Sequence, residues 1–595
     1  MKQRNIYKEV AVVALLMLAV AAAEYVFFDL ARLDWHAPML YGGDGIYWVG
    51  QVKISFGGLT QQMGWPFYQP PNPYDPNYDL IYDIFVAICG LFTKDVGVVF
   101  NLYILVIPFA NALGAYAAFR LLGVRRWLGG AVALTFAMCP YVQQRLGGHM
   151  MLAASQFVPF SVLLCLWCAE DETFNKPGKG FFRNPRNWLC LAVAWGIANN
   201  GAAYYPYFTC FLLCVTALCQ WLRTGRASAM VPCFVTVAEI VLWMIPDFFP
   251  MVLGMLAGVG STKTNGVYRS PVGGDLYGMR ISSLLLSPNG YGWQKLGDWI
   301  KHYFHLVATD EGAVFNENSM GYLGMAGIVG LLGLLLLLFA PERRPAQGQQ
   351  PGKPALMPRL WMLARLNVAA LLFGTIAGFG PIISIVVTFM RGNNRISIYV
   401  AGLALTAVAL GAEALLQRCT APRCRAAVTA LLVLCLGYGF WEQQGFYNPK
   451  YEAVQTIWYQ DRAFMQQVEQ TAGENAMLFQ LPYMKNFENG SVENMWDYTL
   501  LRGPLHCDTL RFSYGAGYGT ENDVWYKNTA ELPPQAMVAE LRAQGFAGIY
   551  LDLNGYAVDK QQQTLRELVQ AAGCTEADVL RHEAGMLCYI PLDAG

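Results

Sequence analysis

The chain has 595 residues, 55% of them hydrophobic and only 14% charged, with a mean hydropathy of +0.31. Soluble proteins carry about 25% charged residues, so the shortfall points to lipid as solvent and excludes an ordinary soluble globule. The 41 Lys and Arg balance 41 Asp and Glu, and without a bulk basic field nothing suggests a nucleic-acid partner.

The N-terminus MKQRNIYK leads into an apolar run of about 20 residues, long enough to cross about 30 Å of hydrocarbon as a helix. It has no small-x-small cleavage site before Tyr25 and Phe27, so we read it as a retained first span. Further spans are expected near 98–119, 127–145, 150–169, 187–202, 204–222, 229–250, 320–340, 360–380, 394–416 and 425–442. With the first, near 9–30, this makes eleven. Only helices satisfy every backbone group internally at that depth.

Lys and Arg set the threading. With the N-terminus cytoplasmic, the inner segments are 1–8, 120–126, 170–186, 223–228, 341–359 and 417–425. They collect roughly twenty of the 41 basic residues, as the positive-inside rule requires. Residues 80–93 are apolar but short, and if they spanned, RLLGVRR would face outward. They are expected to form an interfacial or re-entrant helix. An odd number of spans places the C-terminus outside. The expected location is the inner (plasma) membrane.

Two long outer loops follow from this threading, at about 31–97 and 251–319. The first contains GGDGIYWVGQVKISFGG, which can form a membrane-surface helix, and a Pro-rich stretch that cannot be helical. From about 443 the composition becomes that of a soluble protein. Helical patterns near 453–471, 534–543 and 559–572, with strand-like runs at 476–483, 545–553 and 586–592, predict a small α/β domain. The expected division is 1–442 and 443–595. Most of the 15 Cys lie in apolar stretches as small core residues. In an oxidising compartment Cys574 and Cys588 are the candidate disulfide.

The groups able to do chemistry gather at the outer rim. Asp44 in GGDG can serve as a general base on a hydroxyl, or as the cap of the helix that begins there. Asp34, Asp75, Asp79 and Asp83 share its loop. Arg145 and His149 can meet a lipid phosphate or simply anchor the interface. In NNGAAYYPYF, Asn199, Asn200, Tyr204 and Tyr205 can bond a sugar or form a plain turn. Lys263, Arg269, Asp275, Arg280 and Glu317 belong to the second outer loop. Arg391 and Arg395, four apart, would share one face of a helix. They defy the positive-inside trend, which a phosphate partner would explain. There is no P-loop and no dinucleotide fingerprint.

The order of these parts resembles the bacterial GT-C membrane glycosyltransferases that use polyprenyl-phosphate sugars. The similar stretches are GGDG, the segment NLYILVIPFA through GGHMMLAASQFVPF, ENSMGYLG, RGNNR, and the terminal FQLPY and GFAGIYLDLNGY. The resemblance implies a polytopic helical fold, about eleven transmembrane helices in a GT-C-like arrangement, with an extracytoplasmic α/β domain. It implies transfer of a sugar from a polyprenyl-phosphate carrier to a glycan, lipid or protein acceptor. On its pattern, the base falls on Asp44 and the donor phosphate on Arg391 and Arg395, with His149 and Arg280 next. No cofactor is implied beyond a divalent cation, which the single acid of GGDG leaves open. The rival readings are a flippase of lipid-linked glycans and a non-catalytic scaffold with an outer binding domain.

Overall fold

The computed structural model describes residues 2–68, 79–178, 180–256, 272–286, 295, 298–300, 302, 321–341, 356–385, 390–445, 449–486 and 489–592, with the backbone alone at 2–5, 251, 254 and 255. The chain is a polytopic helical membrane protein with a small mixed sheet near its C-terminus. Each expected span contains a helix. Among the described residues, seven helical segments are long and apolar enough to cross a membrane: 6–27, 96–121, 204–224, 227–250, 356–374, 393–418 and 422–442. The others are shorter than expected: Arg126–Ala137, Val158–Glu170, Pro185–Ala198 and Gly324–Leu337 have 12 to 14 residues. At about 1.5 Å per residue these reach only about 18–21 Å.

The reason lies in how the breaks are satisfied. Non-helical backbone survives at membrane depth only where other protein groups bond it. Pro140 opens a separate helix, Pro140–Arg145, and interrupts the span expected over 127–145. The carbonyl of Met138 at this break accepts from the Gln143 amide at 2.5 Å and the Gln443 amide at 3.1 Å. A second break, at 154–157, lies against the helix Val96–Leu121. There Asn111 donates to the Ala153 carbonyl at 2.9 Å and accepts from the Ser155 N–H at 2.8 Å. The approach is so close that a Cβ on Gly114 would stand 2.3 Å from the Gln156 carbonyl oxygen. Asn101, ten residues earlier and fully buried, accepts from the Met39 N–H at 2.7 Å and donates to the Ala37 carbonyl at 2.8 Å. It fixes the start of the first long loop.

The helices alternate in direction, so one end of the bundle carries the first loop and the sheet, here called the site end. The basic segments meet at the far end. There Glu9 accepts from Tyr116 at 2.9 Å and from Arg120 at 2.7 Å, and also bonds Arg126. Arg125 grips Glu413 through two nitrogens at 2.9 and 3.0 Å. Between the ends, hydroxyls of Ser161, Thr209 and Tyr399 bond across three helices at 2.9 and 2.8 Å, polar glue of the kind that holds membrane helices together.

Residues 80–89 form a ten-residue helix, too short to span. Tyr82 and Val86 are buried while Ile84, Ile88, Leu91 and Phe92 are exposed, the surface expected of an interfacial element. The helix Asp44–Ser55 forms where a surface helix was expected. However, its Trp48, Val49 and Val52 are buried: Trp48 packs on Tyr82 with ring centres 5.3 Å apart, and the C-terminal part of the chain meets the helix at Tyr47 and Lys53. Lys53 donates to the carbonyls of Pro504 at 2.8 Å and Cys507 at 2.5 Å.

The sheet has the order β2-β1-β3-β5-β4. Its strands are β1 (Met477–Leu481), β2 (Arg511–Phe512), β3 (Phe546–Asp552), β4 (Leu580–Arg581) and β5 (Leu587–Pro591). β1 runs parallel to β2 and β3, whereas β5 runs antiparallel to β3 and β4. Three helices match the expected ones closely: Tyr451–Ala472, Pro534–Ala543 and Gln561–Ala572. The helix Glu521–Ala530 was not foreseen. The first loop continues onto this unit: the N–H groups of Gly64 and Trp65 bond the carbonyls of Tyr514 and Phe512 at 3.1 and 3.0 Å. The disulfide expectation fails. Cys574 and Cys588 are not bridged: Cys588 is buried in the strand register opposite Leu551 and Arg581, and the Cys574 thiol turns to the Val569 carbonyl.

Candidate active site

Gly43 precedes the surface helix with φ +50 and takes the capping position itself. Asp44 is therefore the first helical residue rather than the cap. Its carboxylate sits where the partial positive charge of a helix start favours an anion. Across from it, the turn RLGGH closes back: the His149 N–H donates to the Arg145 carbonyl at 2.9 Å. This turn places His149 Nε2 3.5 Å from Asp44 Oδ2, with both side chains partly exposed. Gly148 lies below, where a Cβ would meet that of Asp44 at 3.9 Å. Arg145 is buried, its guanidinium 5.4 Å from the Tyr141 ring centre.

One turn along from Asp44, Tyr47 packs on Tyr498 with ring centres 4.9 Å apart. Burial, with Tyr47 and Asp44 close by, pushes the Tyr498 hydroxyl above the ordinary phenol range, so it keeps its proton at neutral pH. The sequence offered no signal for Tyr498, since its partner lies some 450 residues away in the chain.

Arg391 and Arg395 do not share a helical face. Arg391 precedes a short 3-10 turn, Asn393–Ile396, that carries Arg395. Aromatic rings hold both instead. The Arg395 guanidinium lies 4.4 Å from the centre of Tyr204, and that of Arg391 lies 4.9 Å from the centre of Tyr277. Tyr204 also accepts from the Gly392 N–H at 3.3 Å. Tyr205 is turned inward and donates to the Leu152 carbonyl, so it supports the break beside His149 rather than facing a ligand. The Asn199 amide donates to the Trp195 carbonyl at 2.9 Å, and Asn200 is fully buried beside it.

Arg280 is half-buried next to Met279, which pairs with the strand-like turn at Thr375. Asp275 is structural, accepting from the Ala377 N–H at 2.8 Å. Asp34 accepts from Tyr459 at 2.7 Å. Asp79 stands at the start of the helix Leu80–Cys89, and burial beside Asp83 pushes its carboxyl well up. Lys263, Arg269, Asp75 and Glu317 lie outside the described residues. Among those described, no cluster of three or more His, Cys, Asp or Glu could hold a metal ion.

Behind Asp44, a buried charge network joins the first loop to the sheet. Asp461 accepts from Arg502 through two nitrogens at 2.7 and 2.6 Å and from the Tyr41 hydroxyl at 2.8 Å, with His582 at 3.1 Å. Burial opposes its charge, but His582 and Arg502 outweigh it and hold the carboxyl down to about 2. Tyr41 spends its proton on Asp461, so His506 Nε2, at 2.9 Å, must donate to it. Burial holds the His506 imidazole down to about 3, against an ordinary value of 6.5. The unfolded chain binds a proton there that the folded chain refuses. Stability should therefore fall by about 1.4 kcal/mol per pH unit as pH drops from the unfolded value towards the folded one. Thermal melts of the purified protein at pH 7, 6 and 5 check this, and a His506→Gln variant should show a flatter pH dependence over that range.

No family model matches the chain, and no curated protein matches it. Solved structures similar to it are of GT-C-type membrane glycosyltransferases, the kind its motifs resemble. The oligosaccharyltransferase of Archaeoglobus fulgidus is similar at 11% identity over 92% of this chain and 70% of that one, with a TM-score of 0.46. The arabinofuranosyltransferase AftD from Mycobacteria is 15% identical, with a TM-score of 0.43; this chain spans 35% of its length, with 91% of its own residues covered. ArnT from Cupriavidus metallidurans is similar at 13% identity, with a TM-score of 0.48 over 98% of this chain and 99% of that one, and has also been crystallised with undecaprenyl phosphate.

Proposed function

We propose that the chain transfers a sugar from a polyprenyl-phosphate carrier to an acceptor hydroxyl at the site end of the bundle. The observation that carries this reading is the pairing of Asp44 with His149, 3.5 Å apart, at a rim where broken helices bring polar groups to the mouth of an apolar bundle. The acceptor loses its proton to Asp44 as its oxygen attacks the anomeric carbon. The bond from that carbon to the phosphate oxygen breaks, and the lipid phosphate leaves with the electron pair. Arg391 and Arg395, stacked on Tyr277 and Tyr204, meet the phosphate charge, with His149, Arg145 and Arg280 on the same rim. A single displacement inverts the anomeric configuration.

The carrier's tail enters between spans, since its headgroup alone needs water. Electrostatic stabilisation and positioning supply most of the rate, because phosphate is already a good leaving group. The C-terminal unit, extracytoplasmic in this reading, covers the surface helix that bears Asp44 and helps select a glycan, lipid or protein acceptor. The N-terminus is cytoplasmic and the membrane is the inner one. Mass spectrometry of cells lacking the protein tests the proposal. A polyprenyl-phosphate sugar should accumulate while a surface glycan loses that sugar. Unchanged pools of both would refute the transfer, and vesicle uptake of a lipid-linked glycan without a covalent product would favour a flippase.

A further inference from the structure

The turn between the helices Ser397–Arg418 and Pro422–Glu442 lies at the far end of the bundle, just beyond Glu413. It brings two cysteines together. The Cys424 thiol donates to the Cys419 sulfur at 2.9 Å. The backbone holds the turn in place: the Cys419 N–H donates to the Leu415 carbonyl at 3.3 Å, and the Arg425 N–H to the Ala421 carbonyl at 3.0 Å. The Arg425 side chain donates in addition to the Cys419 carbonyl at 3.2 Å. Cys419 is 7% exposed, whereas Cys424 opens to the surface. An exposed cysteine fills no core, so packing does not account for Cys424. Among the described residues no third His, Cys, Asp or Glu joins the pair to hold a metal ion.

We propose that Cys419 and Cys424 form a reversible disulfide, made by exchange with a small anionic disulfide and opened by small thiols. The exchange has two steps. The Cys424 thiolate attacks one sulfur of the small disulfide, whose S–S bond breaks and releases one thiolate. The Cys419 thiolate then attacks the Cys424 sulfur and releases the second. The protein gives up two protons and two electrons, and the small disulfide becomes two thiols. Cys424 attacks first because it is the exposed partner. Cys419, already in contact with it, resolves the adduct. The exposed Arg418, Arg423 and Arg425 beside the pair attract an anionic reagent. The bond ties the turn to the start of a helix that packs little there: within Pro422–Glu442 no residue before Leu436 is buried. This chemistry does not depend on the transfer reaction proposed above.

The test uses the full chain in nanodiscs, treated with oxidised glutathione, blocked by alkylation and read by mass spectrometry of tryptic peptides. Cleavage after Arg418, Arg423 and Arg425 releases 419–423 and 424–425, which should appear joined. The joined pair should form about tenfold faster than glutathione accumulates on Cys435, exposed on the same helix, because the second thiol is already at hand. Reduced glutathione should separate the peptides again. The Cys419→Ser variant should keep a lasting glutathione adduct on Cys424, and Cys424→Ser should leave Cys419 unmodified. Peptides that stay separate in the wild type, or a Cys424 adduct that never resolves there, overturn the proposal. So does a joined pair that reduced glutathione cannot open. If either variant unfolds, the wild-type peptides decide by themselves.

Discussion

Replacing Asp44 by Asn is expected to lower sugar transfer by about 10²–10⁴-fold, the usual contribution of a positioned acid or base, while the protein stays folded. The amide keeps the shape of the carboxylate and its place in the first turn of the helix Asp44–Ser55. It cannot accept the acceptor's proton. The side chain is 42% exposed and its ion pair with His149 is 3.5 Å long, and partly exposed pairs contribute little to stability. A melting temperature close to the wild type, together with the lost rate, would separate chemistry from folding. The measurement is turnover of a polyprenyl-phosphate sugar by the reconstituted variant. Wild-type turnover in Asp44→Asn would remove this carboxylate from the mechanism.

Asp461→Ala is expected to destabilise the protein by about 3–5 kcal/mol, because it strands a buried guanidinium without its counter-charge. Asp461 is 1% exposed and receives both nitrogens of Arg502 as well as the Tyr41 hydroxyl. Tyr41 belongs to the first loop, just ahead of Asp44, so the loss should loosen the seam that carries the site. Limited proteolysis should then cut the first loop or the segment around Arg502 earlier than in the wild type, and the melt should move down sharply. The double variant Asp461→Leu/Arg502→Met should recover part of the loss, since an apolar pair of similar volume does not leave a charge behind. A single variant that melts like the wild type would show that the network adds nothing to stability.

Much of the plan was legible because hydropathy and charge are local properties. The eleven apolar stretches each contain a helix, and the described basic segments fall at one end. The strands β1, β3 and β5 lie within the runs read as strands. β2 and β4, each two residues long, are too short to leave a periodic pattern. The spans expected over 127–145 and 150–169 were read too long for a definite reason. An apolar window does not reveal that Asn111 and Gln443, remote in sequence, stand ready to satisfy a broken backbone. Without such partners the breaks would be intolerable in lipid. The pairing of Arg391 and Arg395 on a helical face failed because Gly392 and the 3-10 turn after it place them on separate rings.

Asp44 and His149 were both legible as candidates, but their meeting was not. The two are separated by more than 100 residues, and only the return of the RLGGH turn to the surface helix brings the atoms together. Likewise, nothing in the sequence tied Tyr41 to Asp461 or Tyr47 to Tyr498. By itself, the sequence determined that this chain lives in a membrane, where its helices lie, and which polar residues gather at their ends. The tertiary structure decided which of those residues meet, because contacts between distant segments depend on how the helices pack and where they break, and no single stretch of chain encodes that.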